Sequence, residues 1–244
     1  MLHAIIGSKA GRLPVGDGEE TVSWRKAFRV SEDLLTASVF GRLAYLEGEM
    51  LWRILRRTFG HPLPDLRVAE LDDVQFWPRW DDAIETDRSV EPDVFLDFKV
   101  GDPARPVRLI VEAKLGRHPS QEAVQWAREW VAYENRMGDD RHDVVLCALG
   151  GLGKRVDEAV TRIADEVKAL GHDVMVAGAG WDRLLDALEE ERRRPLGSAA
   201  TRIISDIITA LGLADYQHLK LPCDMAAPAW RWNPDTATTI KDFS

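Results

Sequence analysis

The stretch from Glu91 to Gly116 constrains the fold more than any other part of the chain. Its first half contains VFLDFKV, in which apolar residues alternate with Asp97 and Lys99, and this period of two is typical of a β-strand. A turn signal follows, with Gly101 at its start. The second half contains VRLIVEAKL, a nearly continuous apolar run that predicts a strand buried on both faces. Together the two halves predict a β-hairpin.

Two charged residues interrupt the buried strand, Glu112 and Lys114. They are two positions apart, so their side chains leave the same face of the strand. Burying such charges is costly unless they pair with each other or bind a metal. If the hairpin forms, Asp93 comes close to Glu112. Two carboxylates with a lysine beside them predict a site for Mg²⁺ or Mn²⁺ that is open to phosphate oxygens.

Pro92-Asp93, followed by Glu112-Ala113-Lys114 on the next strand, resembles the motif of the PD-(D/E)xK nuclease superfamily. This is the fold of many restriction endonucleases and of RecB-type nucleases. The resemblance implies that Asp93, Glu112 and the backbone carbonyl of Ala113 hold one or two Mg²⁺ ions. It also implies that Lys114 orients the attacking hydroxide or stabilises the developing charge during phosphodiester hydrolysis.

A helix predicted from Ser31 to Leu46 precedes these strands, with Ser31 as its N-cap. In the superfamily, a helix in this position often contributes one more acidic residue to the metal site. Glu32 is the candidate, with Asp33 and Glu47 as alternatives. Equally, Glu32 and Asp33 can simply favour the start of the helix through its dipole. A second helix is predicted from Glu49 to Phe59.

A further helix is predicted from Ser120 to Met137, after the hairpin. We expect Glu122 and Glu129 on its surface. We expect its inward face to be formed by Val124, Ala127, Val131 and Ala132.

The same helix contains residues that resemble the Gln…Tyr element of RecB-like nucleases, namely Gln121, Gln125 and Tyr133. The spacing from Gln125 to Tyr133 is looser than in that element. Of these residues, Gln125 is a candidate for the catalytic site. The alternative is an ordinary polar position on a helix.

Strands and helices alternate in the rest of the chain. A short strand from Val74 to Trp77 is predicted to open the sheet, and parallel strands joined by crossover helices are predicted after the hairpin. The later elements are a strand at Val144–Leu149, a helix at Arg155–Leu170, a strand in DVMVAGAG, and helices at Trp181–Arg193 and Ala199–Leu211.

This pattern predicts an α/β fold: a restriction-endonuclease-like core with a mixed central β-sheet flanked by helices, and a small C-terminal helical appendage. The predicted division is an N-terminal arm at 1–22, a nuclease-like domain at 23–195, and a C-terminal helix with an irregular tail at 196–244.

Three other features have plain structural interpretations. Trp77 and Trp80 could stack on bases, but core packing is the favoured interpretation. The segment GGLGKR, from Gly150 to Arg155, lacks the spacing and the Ser/Thr of a phosphate-binding P-loop, which excludes nucleotide hydrolysis. The segment EEERRR, from Glu189 to Arg194, is interpreted as a solvated helix end.

The net charge of −9 argues against a general DNA-binding surface, because phosphate contacts come from Lys and Arg. It suggests weak binding alone, or delivery to DNA by a protein partner or a second copy of the chain. The apolar runs are too short for a membrane span, and two cysteines favour a cytoplasmic setting. We expect neither an association with a membrane nor a nucleotide cofactor.

The predicted function is therefore metal-dependent hydrolysis of DNA, with RNA as another possible substrate, in restriction, repair or phage defence. One alternative is a catalytically silent protein of the same fold that serves as a binding or assembly subunit. Another is a coincidence, in which Glu112 and Lys114 pair at a strand edge of an unrelated α/β domain.

Overall fold

The computed structural model describes residues 2–15, 20–81, 89–116, 118–138 and 143–218. The helices are α1 (Leu2–Ile6), α2 (Trp24–Val30), α3 (Glu32–Leu43), α4 (Gly48–Phe59), α5 (Ala123–Met137), α6 (Val156–Ala169), α7 (Trp181–Arg192) and α8 (Ser198–Leu213). The strands are β1 (Arg12–Pro14), β2 (Thr21–Ser23), β3 (Ala69–Phe76), β4 (Trp80–Asp81), β5 (Ser89–Val90), β6 (Val94–Val100), β7 (Arg105–Ala113), β8 (Asp143–Leu149) and β9 (Met175–Ala179).

The fold is α/β, with a five-stranded mixed sheet in the order β3-β6-β7-β8-β9. Strand β6 pairs antiparallel with both β3 and β7, and a tight turn joins β6 to β7. Strands β7, β8 and β9 are parallel, and helices α5 and α6 supply the crossovers. Two small two-stranded sheets, β1-β2 and β4-β5, lie outside the central sheet.

Helices cover both faces of the central sheet. On β7, Leu109 and Val111 belong to the core under α3, α4, α7 and α8, whereas Ile110 between them belongs to the core under α5 and α6. This alternation follows from the two-residue period of a strand. Each face of β7 is buried, which explains its nearly continuous apolar sequence.

The structure confirms most of the predicted elements. The hairpin is present, Ser31 caps α3 through its side chain, and the strand at Val144–Leu149 is parallel to β7. The first strand of the sheet is longer than predicted, because β3 begins at Ala69, and it ends at Phe76. Helix α5 begins at Ala123 rather than Ser120.

Both ends of the described chain pack into the main core. Leu2 and Ile5 of α1 are buried, and α8 lies against α3 and α7. Residues 219–244 of the predicted tail lie outside the described residues. Among the helices that are described, none combines the length and the apolar character needed to cross a membrane.

The segment EEERRR was wrongly interpreted as wholly solvated. Glu191 is completely buried at the end of α7, where Arg53 of α4 binds both of its carboxylate oxygens. The sequence holds a signal for this, because Glu191 follows Leu184 and Leu188 at helical spacing, on the apolar stripe of α7.

Candidate active site

The hairpin register brings Asp93 and Glu112 together. Val94 pairs with Val111, and one step further along the same antiparallel ladder Asp93 stands opposite Glu112. The Asp93 carboxylate accepts a hydrogen bond from the backbone N–H of Ala113 at 2.8 Å. Both acidic residues are buried, Asp93 at 8% and Glu112 at 2% exposure.

Lys114 lies directly beyond the end of β7 and forms an ion pair with Glu112 on the same strand. Its ammonium group is also 3.4 Å from Oε1 of Glu32. The side chain of Lys114 is 22% exposed, so the amine lies at the boundary between the buried carboxylates and solvent. The predicted trio of Asp93, Glu112 and Lys114 thus occupies one place in the fold.

Glu32 reaches the same place from the first turn of α3. Its Oε2 accepts a hydrogen bond from the backbone N–H of Leu115 at 2.5 Å, while Oε1 faces Lys114. Glu32 therefore does more than favour the start of a helix. Its contacts in the structure are with Lys114 and the backbone after it, so a role as a metal ligand stays a prediction.

Helix α5 covers the acidic pair from the other side. Gln125 donates a hydrogen bond to Oε1 of Glu129 at 3.0 Å and lies close enough to Glu112 to lower the pKa of that carboxyl. The side-chain amide of Gln121 donates to the carbonyl oxygens of Glu112 and Gly150, each at 3.2 Å. The structure places Gln125, the candidate from the Gln…Tyr resemblance, against Glu112.

The prediction that Glu129 lies on the surface was wrong, as was the prediction that Val124 faces inward. Glu129 is 1% exposed and Val124 is 60% exposed. The face of α5 was misassigned because alanines and tryptophans on this helix blur the apolar stripe. A better marker is the polar pair Gln125 and Glu129, which are four residues apart and therefore lie on one face of α5. Gln121, four residues earlier, lies just before the helix.

Tyr133, the other member of the resemblance, lies elsewhere on α5. Its hydroxyl accepts a hydrogen bond from Arg108 at 2.8 Å, and Arg108 also pairs with Asp97. Trp80 packs against Tyr133 and is 3% exposed, as the core interpretation predicts, whereas Trp77 is half-buried.

The electrostatics of the site follow from the burial of several carboxyl groups together. Burial and then repulsion by Glu112 raise the pKa of Asp93 to about 7. Burial raises the pKa of Glu112, although Lys114 opposes the change, and burial and then Glu112 raise the pKa of Glu129 well above its ordinary value. Burial alone would lower the pKa of Lys114, but Glu112 and Glu32 outweigh it and raise that pKa.

Three buried oxygens in the site have no hydrogen-bond partner within the part of the chain that the structure describes. They are Oε2 of Glu112, Oε2 of Glu129 and Oε1 of Gln121. A buried carboxylate oxygen without a partner is costly and calls for a cation or a proton. Asp93 places a second carboxylate beside Glu112, and a pair of carboxylates is chemically suited to a hard cation.

The described residues contain no group of three His, Cys, Asp or Glu side chains arranged to hold a metal ion. Asp93 and Glu112 are two carboxylates, and Glu32 is separated from them by Lys114. Mg²⁺ commonly binds through one or two carboxylates, with waters and substrate phosphates as its other ligands. The donor set therefore fits Mg²⁺ better than a metal that needs an all-protein cage.

Later parts of the chain support the backbone around Lys114. The indole N–H of Trp181 donates a hydrogen bond to the Lys114 carbonyl at 3.0 Å, and the Tyr216 hydroxyl accepts one from the N–H of Gly116 at 2.9 Å. Gly150 lies directly against that carbonyl, where a Cβ atom would come within 2.1 Å of the oxygen. These contacts hold the strand end in one position.

Two cavities of about 330 Å³ each adjoin the site. The first is lined by Ser89, Val90, Glu91, Glu122, Val124, Gln125, Arg128 and Glu129. The second is rich in glycine and contains two cations, Lys154 and Arg183, beside Trp181 and Tyr216.

Comparisons with known proteins identify one similar protein. The chain is 27% identical over 184 residues to a Pasteurella multocida protein described as uncharacterized protein PM0110. The similarity covers 72% of this chain and 66% of the Pasteurella protein, so it spans slightly less than two thirds of that relative's length. No protein-family model matches the chain, and no solved structure matches it.

Proposed function

We propose that the protein is a metal-dependent nuclease that hydrolyses phosphodiester bonds of DNA. The observation that carries this proposal is the meeting of Asp93, Glu112 and Lys114 at the end of one hairpin, with an unpartnered oxygen on Glu112. The mixed sheet and the flanking helices agree with the restriction-endonuclease-like core that the sequence motif implies.

Asp93 and Glu112 would hold the Mg²⁺ or Mn²⁺ ion, with the carbonyl of Ala113 as a further ligand. When bound, the ion supplies activation of water and neutralisation of charge on the phosphate. The raised pKa of Asp93 means that protons compete with the cation for this pair, so binding releases a proton near neutral pH.

Lys114 would act as a cation and not as a general base. Its raised pKa keeps the amine protonated at neutral pH, so it has no lone pair with which to accept a proton from water. A fixed ammonium group at the solvent boundary can instead donate hydrogen bonds to a phosphate oxygen and stabilise the negative charge that develops there. Glu32 holds this amine from the side of α3.

The test is cleavage of supercoiled plasmid and of single-stranded DNA with Mg²⁺, with Mn²⁺ and with EDTA. The variant is Lys114→Ala, and the matched control is Lys99→Ala, an exposed lysine of the same hairpin that pairs with Asp72. We expect metal-dependent cleavage by the wild type and the control, and a loss of roughly 100-fold or more in Lys114→Ala. Binding of Mn²⁺ should persist in part in Lys114→Ala.

A catalytically silent subunit of the same fold is the second candidate. The ion pair between Lys114 and Glu112 favours it, because a lysine can neutralise a buried carboxylate without any metal. Absence of cleavage by the wild type together with measurable Mn²⁺ binding would support this candidate or a missing partner. Absence of both cleavage and Mn²⁺ binding would contradict the site assignment itself.

A further inference from the structure

A further cavity, of about 500 Å³, is lined mainly by arginines. Three of them are on α4, one follows α4 in the chain and one follows α7. Among the described residues its lining consists of Arg53, Arg56, Arg57, Arg67 and Arg194 with Glu49, Asp65 and Leu66. Such a concentration is unexpected in a chain of net charge −9.

One buried carboxylate organises this arginine cavity. Glu191 accepts hydrogen bonds from Arg53 at 2.6 and 3.0 Å, and it lies 3.5 Å from both Arg57 and Arg194. Three guanidinium groups thus share a single buried negative charge. The side chain of Glu190 offers a further contact, 2.8 Å from Arg57, but it is 56% exposed to solvent.

The remaining two arginines add to the positive charge. Arg56 pairs with Asp65, whose side chain is 83% exposed, so solvent weakens this ion pair. Arg67 is exposed at the rim. Five guanidinium groups face four carboxylates here, of which Glu191 is buried and Glu49, Asp65 and Glu190 are exposed to solvent. The cavity therefore retains a positive charge that an anion can neutralise.

Two nitrogen atoms in the cavity wall lack hydrogen-bond acceptors. Nε of Arg56 and Nη1 of Arg57 are buried and make no hydrogen bond within the described part of the chain. The Arg57 atom has only the 3.5 Å charge contact with Glu191. A buried N–H without an acceptor is costly, which points to an acceptor supplied by a ligand. Guanidinium groups match the oxygens of phosphate especially well.

This cavity is separate from the candidate active site. Trp181, the first residue of α7, contacts the Lys114 carbonyl, whereas Glu191 lies ten residues further along the same helix. Ten residues of α-helix span about 15 Å. We propose that the arginine cavity is a second binding site, independent of metal, for the phosphate groups of a ligand.

Two sources of phosphate share this chemistry: the backbone of a nucleic acid and a free phosphorylated small molecule. A separation of about 15 Å corresponds to roughly four phosphates along one strand of B-DNA, so the length of a short strand is compatible with contact at both sites. The assignment of a nucleic-acid backbone as the ligand rests on the proposed nuclease function. The proposal that the arginines bind phosphate groups does not depend on that function.

The first experiment is calorimetric titration of the full chain with sodium pyrophosphate in the presence of EDTA, which removes any metal-mediated binding. The variant Arg56→Gln/Arg67→Gln leaves Arg53, Arg57 and Arg194 around Glu191. The matched control is Arg155→Gln/Arg162→Gln, two α6 arginines whose side chains are 78% and 50% exposed.

We expect the wild type and the control to bind pyrophosphate alike, and the cavity variant to bind roughly tenfold more weakly or worse. The proposal is overturned if the wild type produces no binding heat, or if the cavity variant retains wild-type affinity. Equal weakening in the control would also overturn it, because general surface charge would then explain the binding.

A second measurement distinguishes the two sources. It measures the binding of a fluorescent single-stranded DNA 20-mer in the presence of EDTA, and then tests whether pyrophosphate displaces the DNA. Displacement, with weaker DNA binding in the cavity variant, supports a backbone site. DNA binding that the cavity variant leaves unchanged, with pyrophosphate binding lost, supports a site for a free phosphorylated molecule. Neither result depends on cleavage, so failure of the nuclease proposal would be seen separately.

Discussion

Asp93 and Ala113 are 20 residues apart in the chain, and the carboxylate of the first accepts the backbone N–H of the second at 2.8 Å. This hydrogen bond fixes a buried acid next to Glu112, although burial and the repulsion between the two acids oppose ionisation. The site therefore contains stored unfavourable electrostatic energy, which a cation can relieve.

Asp93→Asn should stabilise the metal-free protein. At pH 8 the wild type must ionise Asp93 against a pKa raised from 3.8 to about 7, which costs at most about 4 kcal/mol. The amide oxygen of Asn can still accept the Ala113 N–H, but the charge is gone. In EDTA at pH 8 the Tm should rise, and the further rise that Mg²⁺ gives the wild type should disappear.

The control for this variant is Asp97→Asn on the same strand. Asp97 pairs with Arg108 at 3.0 Å, so losing its charge should lower the Tm. A lower Tm for Asp93→Asn in EDTA would contradict the electrostatic account of the site.

Glu129→Gln should alter the pH dependence of stability. The pKa of Glu129 is raised in the folded protein, so above the unfolded pKa the folded state keeps a proton that the unfolded state has released. The free energy of unfolding of the wild type should therefore fall as the pH rises from the unfolded to the folded pKa of Glu129. The Gln variant should lose less stability over the same range. Thermal melting from pH 5 to 9 in EDTA measures the difference, and parallel curves would show that Glu129 does not titrate differently on folding.

Glu191 should give the opposite pH dependence of stability, because its pKa is lowered in the folded protein. Burial opposes its ionisation, but hydrogen bonds from Arg53 outweigh burial and lower its pKa. Its contribution to stability is therefore present above the unfolded pKa and is lost as the pH falls through the folded pKa. Glu191→Gln at pH 7 should cost roughly 3–5 kcal/mol, because it leaves several guanidinium groups without their shared buried carboxylate.

Urea unfolding at pH 7 and pH 3 checks this prediction. The difference between Glu191→Gln and the wild type should shrink at pH 3, because the Glu191 carboxyl of the unfolded chain is then protonated and folding must displace that proton. A difference that stays constant with pH would mean that packing, and not charge, explains the loss.

Gly150→Ala should lower the free energy of unfolding, because the added methyl group would displace the backbone around Lys114. Gly150 has a φ of +77°, and a Cβ there would lie 2.1 Å from the Lys114 carbonyl oxygen and 2.8 Å from the Trp181 indole nitrogen. The matched control is Gly138→Ala, with a φ of +59° and nothing within 4 Å of the added atom.

The control should lower the free energy of unfolding by about 1 kcal/mol through backbone strain alone. Gly150→Ala should lower it by about 2–4 kcal/mol. Chemical denaturation measures both. If the two variants lost the same stability, the close approach of Gly150 to Lys114 would contribute nothing beyond its backbone conformation.

The hairpin and the parallel strands were predictable because their signals are local. The alternation in β6, the apolar run in β7 and the turn between them determine the register, and the register brings Asp93 to Glu112. Glu32 and Gln125 became candidates through the resemblance to the nuclease motif and not through these local signals. The structure places Glu32 beside Lys114 and Gln125 beside Glu129.

The buried carboxylates Glu129 and Glu191 were not predicted because acidic residues on helices are usually solvated. Glu191 is buried against Arg53, a partner 138 residues away in the chain. Glu129 is buried where α5 packs against the acidic pair of the hairpin, which a helical pattern alone does not reveal. The arginine cavity was missed for the same reason, since its lining comes from segments that the chain order separates.

The hydrogen bond from Gly116 to Tyr216 joins residues 100 positions apart, and this distance has a consequence in time. A ribosome adds about 5–20 residues per second, so Tyr216 follows Gly116 by roughly 5–20 seconds of synthesis. During that interval the nascent chain already contains Asp93, Glu112 and Lys114, while the loop after Lys114 lacks this support.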